Sequence, residues 1–149
     1  MIEHTQSDTA TGNCWQTCVA CILEVDPAAL PAQVEIEADK RSYQNSLNVY
    51  LFKHHGLCYT VMYDFMFPIV LLREPGWHMM EGPTVRTPNN GGREHVVVGR
   101  HGVMAWDPHP SRAGLTYALR WSFLVPPPAR AVGYWVDKSC ECPACTPRP

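Results

Sequence analysis

The hydrophobic period of this chain changes once, at Gly56, and that change limits the fold more than any other feature of the sequence. Before it, apolar residues recur at helical intervals. Cys14, Cys18, Cys21 and Ile22 fall on one face of a helix, as do Leu47, Tyr50, Leu51 and His54 within "SYQNSLNVYLFKHHG". After it, short runs of β-formers alternate with turn residues. These runs are "LCYTVMY" (57–63), "WHMMEG" (77–82), "HVVVGR" (95–100), "VMAWD" (103–107), "ALRWSFLV" (118–125) and "AVGYWV" (131–136). Helices first and strands later predict an α+β fold, with N-terminal helices packed on an antiparallel β-sheet.

Local signals place the boundaries. Asn13 is a candidate N-cap for a helix from Cys14 to about Glu24, and Asp26-Pro27 follows the apolar run as a stop. Residues 27–38 read as a short helical turn and a loop. Gly56 stands where a left-handed residue would end the second helix. "PTVRTPNNGGRE" (83–94) reads as a loop, and "KSCECPACTPRP" (138–149) as a loosely attached end. One domain over residues 1–137 and a Cys/Pro-rich tail over 138–149 are therefore expected.

Composition excludes several function classes. With 46% hydrophobic and 17% charged residues the chain is globular, and its formal charge of −2 offers no basic footprint for nucleic acid. No apolar run approaches the ~18 residues of a membrane span, so no membrane partner is expected. The start "MIEHTQSDTA" lacks the basic and apolar regions of a secretion signal, which points to a cytoplasmic protein. In that compartment the 7 cysteines are expected as thiols or ligands and not as disulfides.

The densest chemistry lies in "TGNCWQTCVAC" (11–21). Cys14, Cys18 and Cys21 form CxxxCxxC, a spacing that can hold an iron–sulfur cluster. The residues between them, however, make a helix with an apolar face and contain neither glycine nor proline. In that reading Cys18 and Cys21 are core residues. Cys14 sits at the first turn, where free backbone N–H groups and the helix dipole favour a thiolate. Two readings of Cys14 stay open: a nucleophile, or a third core cysteine.

A nucleophilic cysteine needs a base and a group to orient that base. Of the 7 histidines, His95 stands out because it opens the apolar strand Val96-Val97-Val98. A three-residue turn Arg100-His101-Gly102 would place His95 opposite Asp107, on one face at about 5 Å. A two-residue turn would slip the register and turn Asp107 to the other face. Asp107-Pro108 also reads simply as the start of a turn. Gln6 could bring a side-chain amide to the oxyanion, beside the Cys14 N–H.

Together these residues resemble the papain-like cysteine peptidase superfamily. The order Gln6, Cys14, His95, Asp107 matches that superfamily's order of oxyanion donor, nucleophile, base and orienter. Within it the chain is most similar to small bacterial and phage proteins that resemble the bacteriocin-processing (C39-like) peptidases. The likeness rests on "GNCWQTCVACILEV", "EGP" (81–83) and "HVVVGRHGVMAWDPHPSRAGL" (95–115), and covers residues 6–115. It implies a papain-like fold and a cysteine-dependent hydrolase that cleaves a peptide or other amide bond through an acyl-enzyme on Cys14. It implies no cofactor, and a peptide or amide-containing substrate that can be a protein. Asn13, Trp15, Trp77, His78 and His109 are the candidates to bind that substrate. The interval between Gln6 and Cys14 is longer than the superfamily's, and the tail "CECPAC" is outside its pattern.

The alternatives are a catalytically inactive papain-like binding module and an iron–sulfur or zinc protein. In the tail, Cys140, Cys142 and Cys145 form CxCxxC, which would need a fourth ligand to hold zinc. A metal-free tail is the expectation. The sequence carries no signal for an oligomeric state.

Overall fold

The computed structural model describes residues 1–7, 12–31, 40–63, 76–86 and 94–127. The strand expected at 131–136, the middle of the 83–94 loop, most of the 27–38 segment and the tail with Cys140, Cys142 and Cys145 lie outside the described residues. The elements run α1 (Cys14–Leu23), a 3-10 turn (Pro27–Ala29), α2 (Lys40–His55), β1 (Cys58–Tyr63), β2 (Trp77–Gly82), β3 (His95–Arg100), β4 (Val103–Trp106) and β5 (Arg120–Val125). The fold is α+β, with helices first and an antiparallel sheet after, as the change of period predicts.

Helix α1 begins just after Asn13, whose backbone is not helical at φ -113. The Asn13 carbonyl accepts from Thr17 N at 3.0 Å and from Thr17 Oγ1 at 2.8 Å. The Asn13 side chain makes no capping hydrogen bond and instead donates to Ser7 Oγ at 3.1 Å. The expected side-chain cap is therefore absent, and the first-turn N–H groups remain open to other acceptors. The helix stops at Glu24, in the left-handed conformation at φ 60, before it reaches Asp26. Asp26 instead caps the 3-10 turn, accepting from Ala28 N at 2.8 Å. Helix α2 ends at Gly56, φ 65, and Leu57 N reaches back to Leu51 O at 3.2 Å. That return needs a residue free to turn left-handed, which explains the glycine.

The sheet order is β1-β5-β2-β3-β4. β5 inserts between β1 and β2, so Ser122 lies opposite both Val61 and Met79. Met79 opposes Val98 and Glu81 opposes Val96, which puts all four on one face. The two helices cover that face. Cys18, Val19, Ala20 and Cys21 of α1 and Leu47, Tyr50 and Leu51 of α2 join Met79, Val96 and Val98 in the core. Burying a leucine as fully as Leu47 or Leu51 contributes about 1.5–3 kcal/mol.

The β3–β4 hairpin departs from expectation in its turn and recovers in its register. Arg100 pairs with Val103, so the turn has two residues, His101 at φ 53 and Gly102 at φ 78. Both are left-handed, the geometry whose twist suits a tight hairpin. Without correction this turn would send Asp107 to the wrong face. A bulge supplies the correction: Gly99 pairs with Met104 but Val98 pairs with Trp106, so Ala105 is the extra residue. Continuing the shifted register brings Asp107 across from Val97, and thus onto the face of His95.

Candidate functional site

β3 and β2 run antiparallel, so His95 at the start of β3 meets Gly82 at the end of β2. A Cβ on Gly82 would overlap the carbonyl oxygen of Tyr117. The glycine lets the 116–119 segment lie against this end of the sheet, where Thr116 N donates to Pro83 O and Leu119 N to Glu81 O, both at 2.8 Å.

His95 and Asp107 are both buried, and His95 Nε2 meets Asp107 Oδ1 at 2.6 Å. The carboxylate takes two further donors from the segment that follows: His109 N at 2.8 Å on Oδ1 and Gly114 N at 2.7 Å on Oδ2. Burial alone would raise the Asp107 pKa. The His95 hydrogen bond and the two backbone donors outweigh it and hold the carboxyl at about 2. Asp107 is therefore a fixed negative charge, and it accepts a proton-bearing Nε2 from His95.

Cys14 meets the main chain of β3 at Val96, one residue along from His95. β4 pairs with β3 only between Val98 and Arg100, so the ladder on that side stops short of Val96. The α1 thiols use the groups left over. The Val96 N–H points at the Cys14 sulfur, and Cys18 Sγ donates to Val96 O at 3.5 Å. The nucleophile candidate thus rests against the residue next to His95. The backbone N–H groups of Cys14 and Trp15 also point at the sulfur, as the open N-terminus of α1 allows.

The balance of these effects corrects one expectation. Burial pushes the Cys14 thiol above its ordinary pKa, and the three backbone donors only partly offset this, with the charge of Glu81 adding to the rise. The helix start alone had pointed the other way. It omitted the cost of placing a thiolate at a position only 7% exposed. Cys18 and Cys21 are fully buried, as expected for core cysteines. Their sulfurs engage backbone groups, Cys18 at Val96 O and Cys21 as acceptor from His4 N at 3.3 Å. No group of three or more His, Cys, Asp or Glu is placed to hold a metal among the described residues.

Gln6 joins the site from the N-terminal segment. It is buried, and its backbone N–H donates to Pro108 O at 2.9 Å, one residue from Asp107. Arg112 ties the same two segments together. It donates to Thr5 Oγ1 at 2.9 Å and to the Asp107 carbonyl, and it stacks over Trp106 at 3.7 Å. Trp106 donates to His4 O at 3.0 Å and packs on the core.

The substrate-binding candidates divide. His109 is brought to the site, its ring perpendicular to that of His95 at 6.1 Å. Ser111 N donates to His109 Nδ1 at 3.0 Å, which leaves Nε2 to carry the proton of the neutral ring. Asn13 and Trp15 flank Cys14, but Trp15 turns inward and meets Tyr59 edge-on at 4.7 Å. Trp77 and His78 are not brought to the site. They pair with Arg100 and Gly99, at the far end of β3 from His95. Trp77 there lies under the Arg100 guanidinium at 4.9 Å, and His78 is buried beside Phe123. An antiparallel partner strand dictates this: a residue five places before Gly82 lies about 17 Å along the sheet from it.

One group escaped the reading of the sequence. Glu81 is buried, and its Oε1 accepts from Ser122 Oγ at 2.5 Å and from Tyr59 OH at 3.1 Å. Its Oε2 pairs with Arg120 at 3.2 Å, and Arg120 also pairs with Glu94. Burial, then the charge of Glu81, raise the Tyr59 pKa, so Tyr59 stays a donor. "EGP" marks the position, but its partners come from β1 and β5, which no local pattern brings together.

No helix among the described residues is long and apolar enough to cross a membrane. Compared with protein-family models, with curated proteins and with solved structures, the chain matches none.

Proposed function

We propose that this chain is a cysteine-dependent hydrolase of the papain-like kind, cleaving a peptide or other amide bond through an acyl-enzyme on Cys14. The observation that carries the reading is the buried 2.6 Å contact between His95 Nε2 and Asp107 Oδ1. With Nε2 committed to the carboxylate, Nδ1 is left, in this reading, to exchange a proton with the thiol held against Val96.

In this reading Cys14 rests as a neutral thiol, consistent with its raised pKa. His95 Nδ1 takes the thiol proton as the sulfur attacks the substrate carbonyl. Asp107, held as a carboxylate, stabilises the imidazolium that forms. The tetrahedral oxyanion is received by the Cys14 N–H and the Gln6 side-chain amide. The imidazolium then protonates the leaving amine, and the C–N bond breaks to give a thioester. Water attacks that thioester with His95 as base and regenerates the thiol; an amine in place of water gives acyl transfer. His109, with its protonated Nε2 beside His95, binds the substrate.

The test is an acid-quenched incubation with short peptide amides, followed by peptide mapping. A thioester on Cys14, lost in Cys14→Ser and in His95→Ala, is expected. A thioester on another cysteine, or amide cleavage that survives Cys14→Ser, would sink the proposal.

A further inference from the structure

Opposite Val96 the sheet carries an acidic side chain that the hydrolytic steps do not use. Glu81 stands directly opposite Val96, on the face that α1 covers. Val96 is the residue whose N–H and C=O meet Cys14 and Cys18. A second route connects the same places: Trp15, next to Cys14, packs on Tyr59, and Tyr59 donates to Glu81. Ser122 and Arg120 fasten the carboxylate from the other side. The network is too well satisfied to bind substrate. Its position makes it an electrostatic floor for the nucleophile.

We infer that Glu81 is a positioning residue whose carboxylate, across Val96 from the Cys14 sulfur, opposes negative charge on that sulfur, with Arg120 moderating the effect. A fixed negative charge under a thiol opposes the thiolate, while the paired guanidinium offsets part of that opposition. The resting pair is then a neutral thiol and imidazole. The sulfur becomes anionic only as it attacks an electrophile and His95 takes its proton. Among the described residues, the charged and titratable groups acting on Cys14 and Cys18 are Glu81 from β2, Asp107 beyond β4 and Cys21 on α1, with Arg120 of β5 paired to Glu81 and His95 next to Val96 on β3. Such a site would discriminate against adventitious electrophiles and oxidants, which attack preformed thiolates.

The inference rests on the proposed role of Cys14, and its test separates the two. The rate of Cys14 alkylation by iodoacetamide is followed against pH by peptide mapping, without substrate, in the native chain, in Glu81→Gln and in Arg120→Gln. Glu81→Gln keeps a hydrogen-bonding side chain and removes the charge. Its midpoint is expected to fall by about half to one pH unit, the ordinary scale of such shifts. Arg120→Gln uncovers the charge, and its midpoint is expected to rise. Opposite shifts distinguish charge from mere support, which would move both variants the same way. Two unmoved midpoints, or two that move together, overturn the inference. If a melting curve shows that Glu81→Gln does not fold, Arg120→Gln decides alone, and an unchanged or lowered midpoint overturns it. Failure of the hydrolase reading would show instead as Cys14 chemistry indifferent to His95→Ala.

Discussion

Replacing Asp107 by asparagine should unfold the logic of the site in a pH-dependent way. The Asp107 carboxyl is held at about 2 against an ordinary 3.8. Its side chain is 1% exposed, so solvent screens little of that shift. At about 1.36 kcal/mol per unit the depression stabilises the fold by about 2 kcal/mol at neutral pH. A folded-state pKa below the unfolded one gives stability that is present above the unfolded value. That stability is lost as pH falls toward the folded value, here between 3.8 and about 2. Asparagine adds a second cost. Both carboxylate oxygens accept main-chain donors, His109 N on one and Gly114 N on the other. Whichever way the amide turns, its NH2 confronts a buried N–H, at about 1–3 kcal/mol. The variant should therefore be less stable by about 3–5 kcal/mol at pH 7 in urea titrations. At pH 3 the difference should shrink by about 1 kcal/mol, because the native protein has then lost about half of its carboxylate contribution. A gap that is the same at both pH values, or a variant within about 1 kcal/mol of the native protein at pH 7, would refute this account of Asp107.

Two further outcomes follow from the backbone. Gly82→Ala places a Cβ against the Tyr117 carbonyl, so it should cost about 1–3 kcal/mol in urea titrations and loosen the 116–119 segment in hydrogen exchange. Protection at Thr116 and Leu119 equal to that of the native protein would contradict it. His101→Asn puts a residue suited to left-handed geometry at φ 53 before Gly102, and should stabilise the fold by about a few tenths of a kcal/mol, seen as a slight rise in melting temperature. A drop in melting temperature would show that the His101 side chain contributes something the turn geometry does not explain.

The elements of this fold were legible where a single periodic signal decided them. The helical face from Cys14 and the strand opening at His95 appear where the spacing of apolar residues puts them. The His95–Asp107 contact was anticipated by way of a three-residue turn that the hairpin does not have. A shorter turn and the bulge at Ala105 are two departures that cancel in the parity of the strand. Nothing local announces a bulge at an alanine, so the residues that meet were foreseeable but their route was not. Trp77 and His78 were misplaced because strand direction and register, not residue type, decide which end of a sheet a side chain occupies. The Glu81 network needs β5 inserted between β1 and β2, a long-range ordering that periodicity does not encode. The Cys14 thiol was read from its helix start alone. Burial, a property of the assembled fold, reverses the direction of its shift.

The central claim is that His95 acts on Cys14, and the most direct measurement is the alkylation rate of Cys14 in the native chain and in His95→Ala at pH 7. Cys58, half-buried and remote in sequence, serves as the internal reference in the same peptide maps. The account predicts that His95→Ala slows Cys14 by at least about tenfold and leaves Cys58 unchanged, since a thiol held protonated by burial depends on its base. Equal Cys14 rates in the two proteins would contradict it.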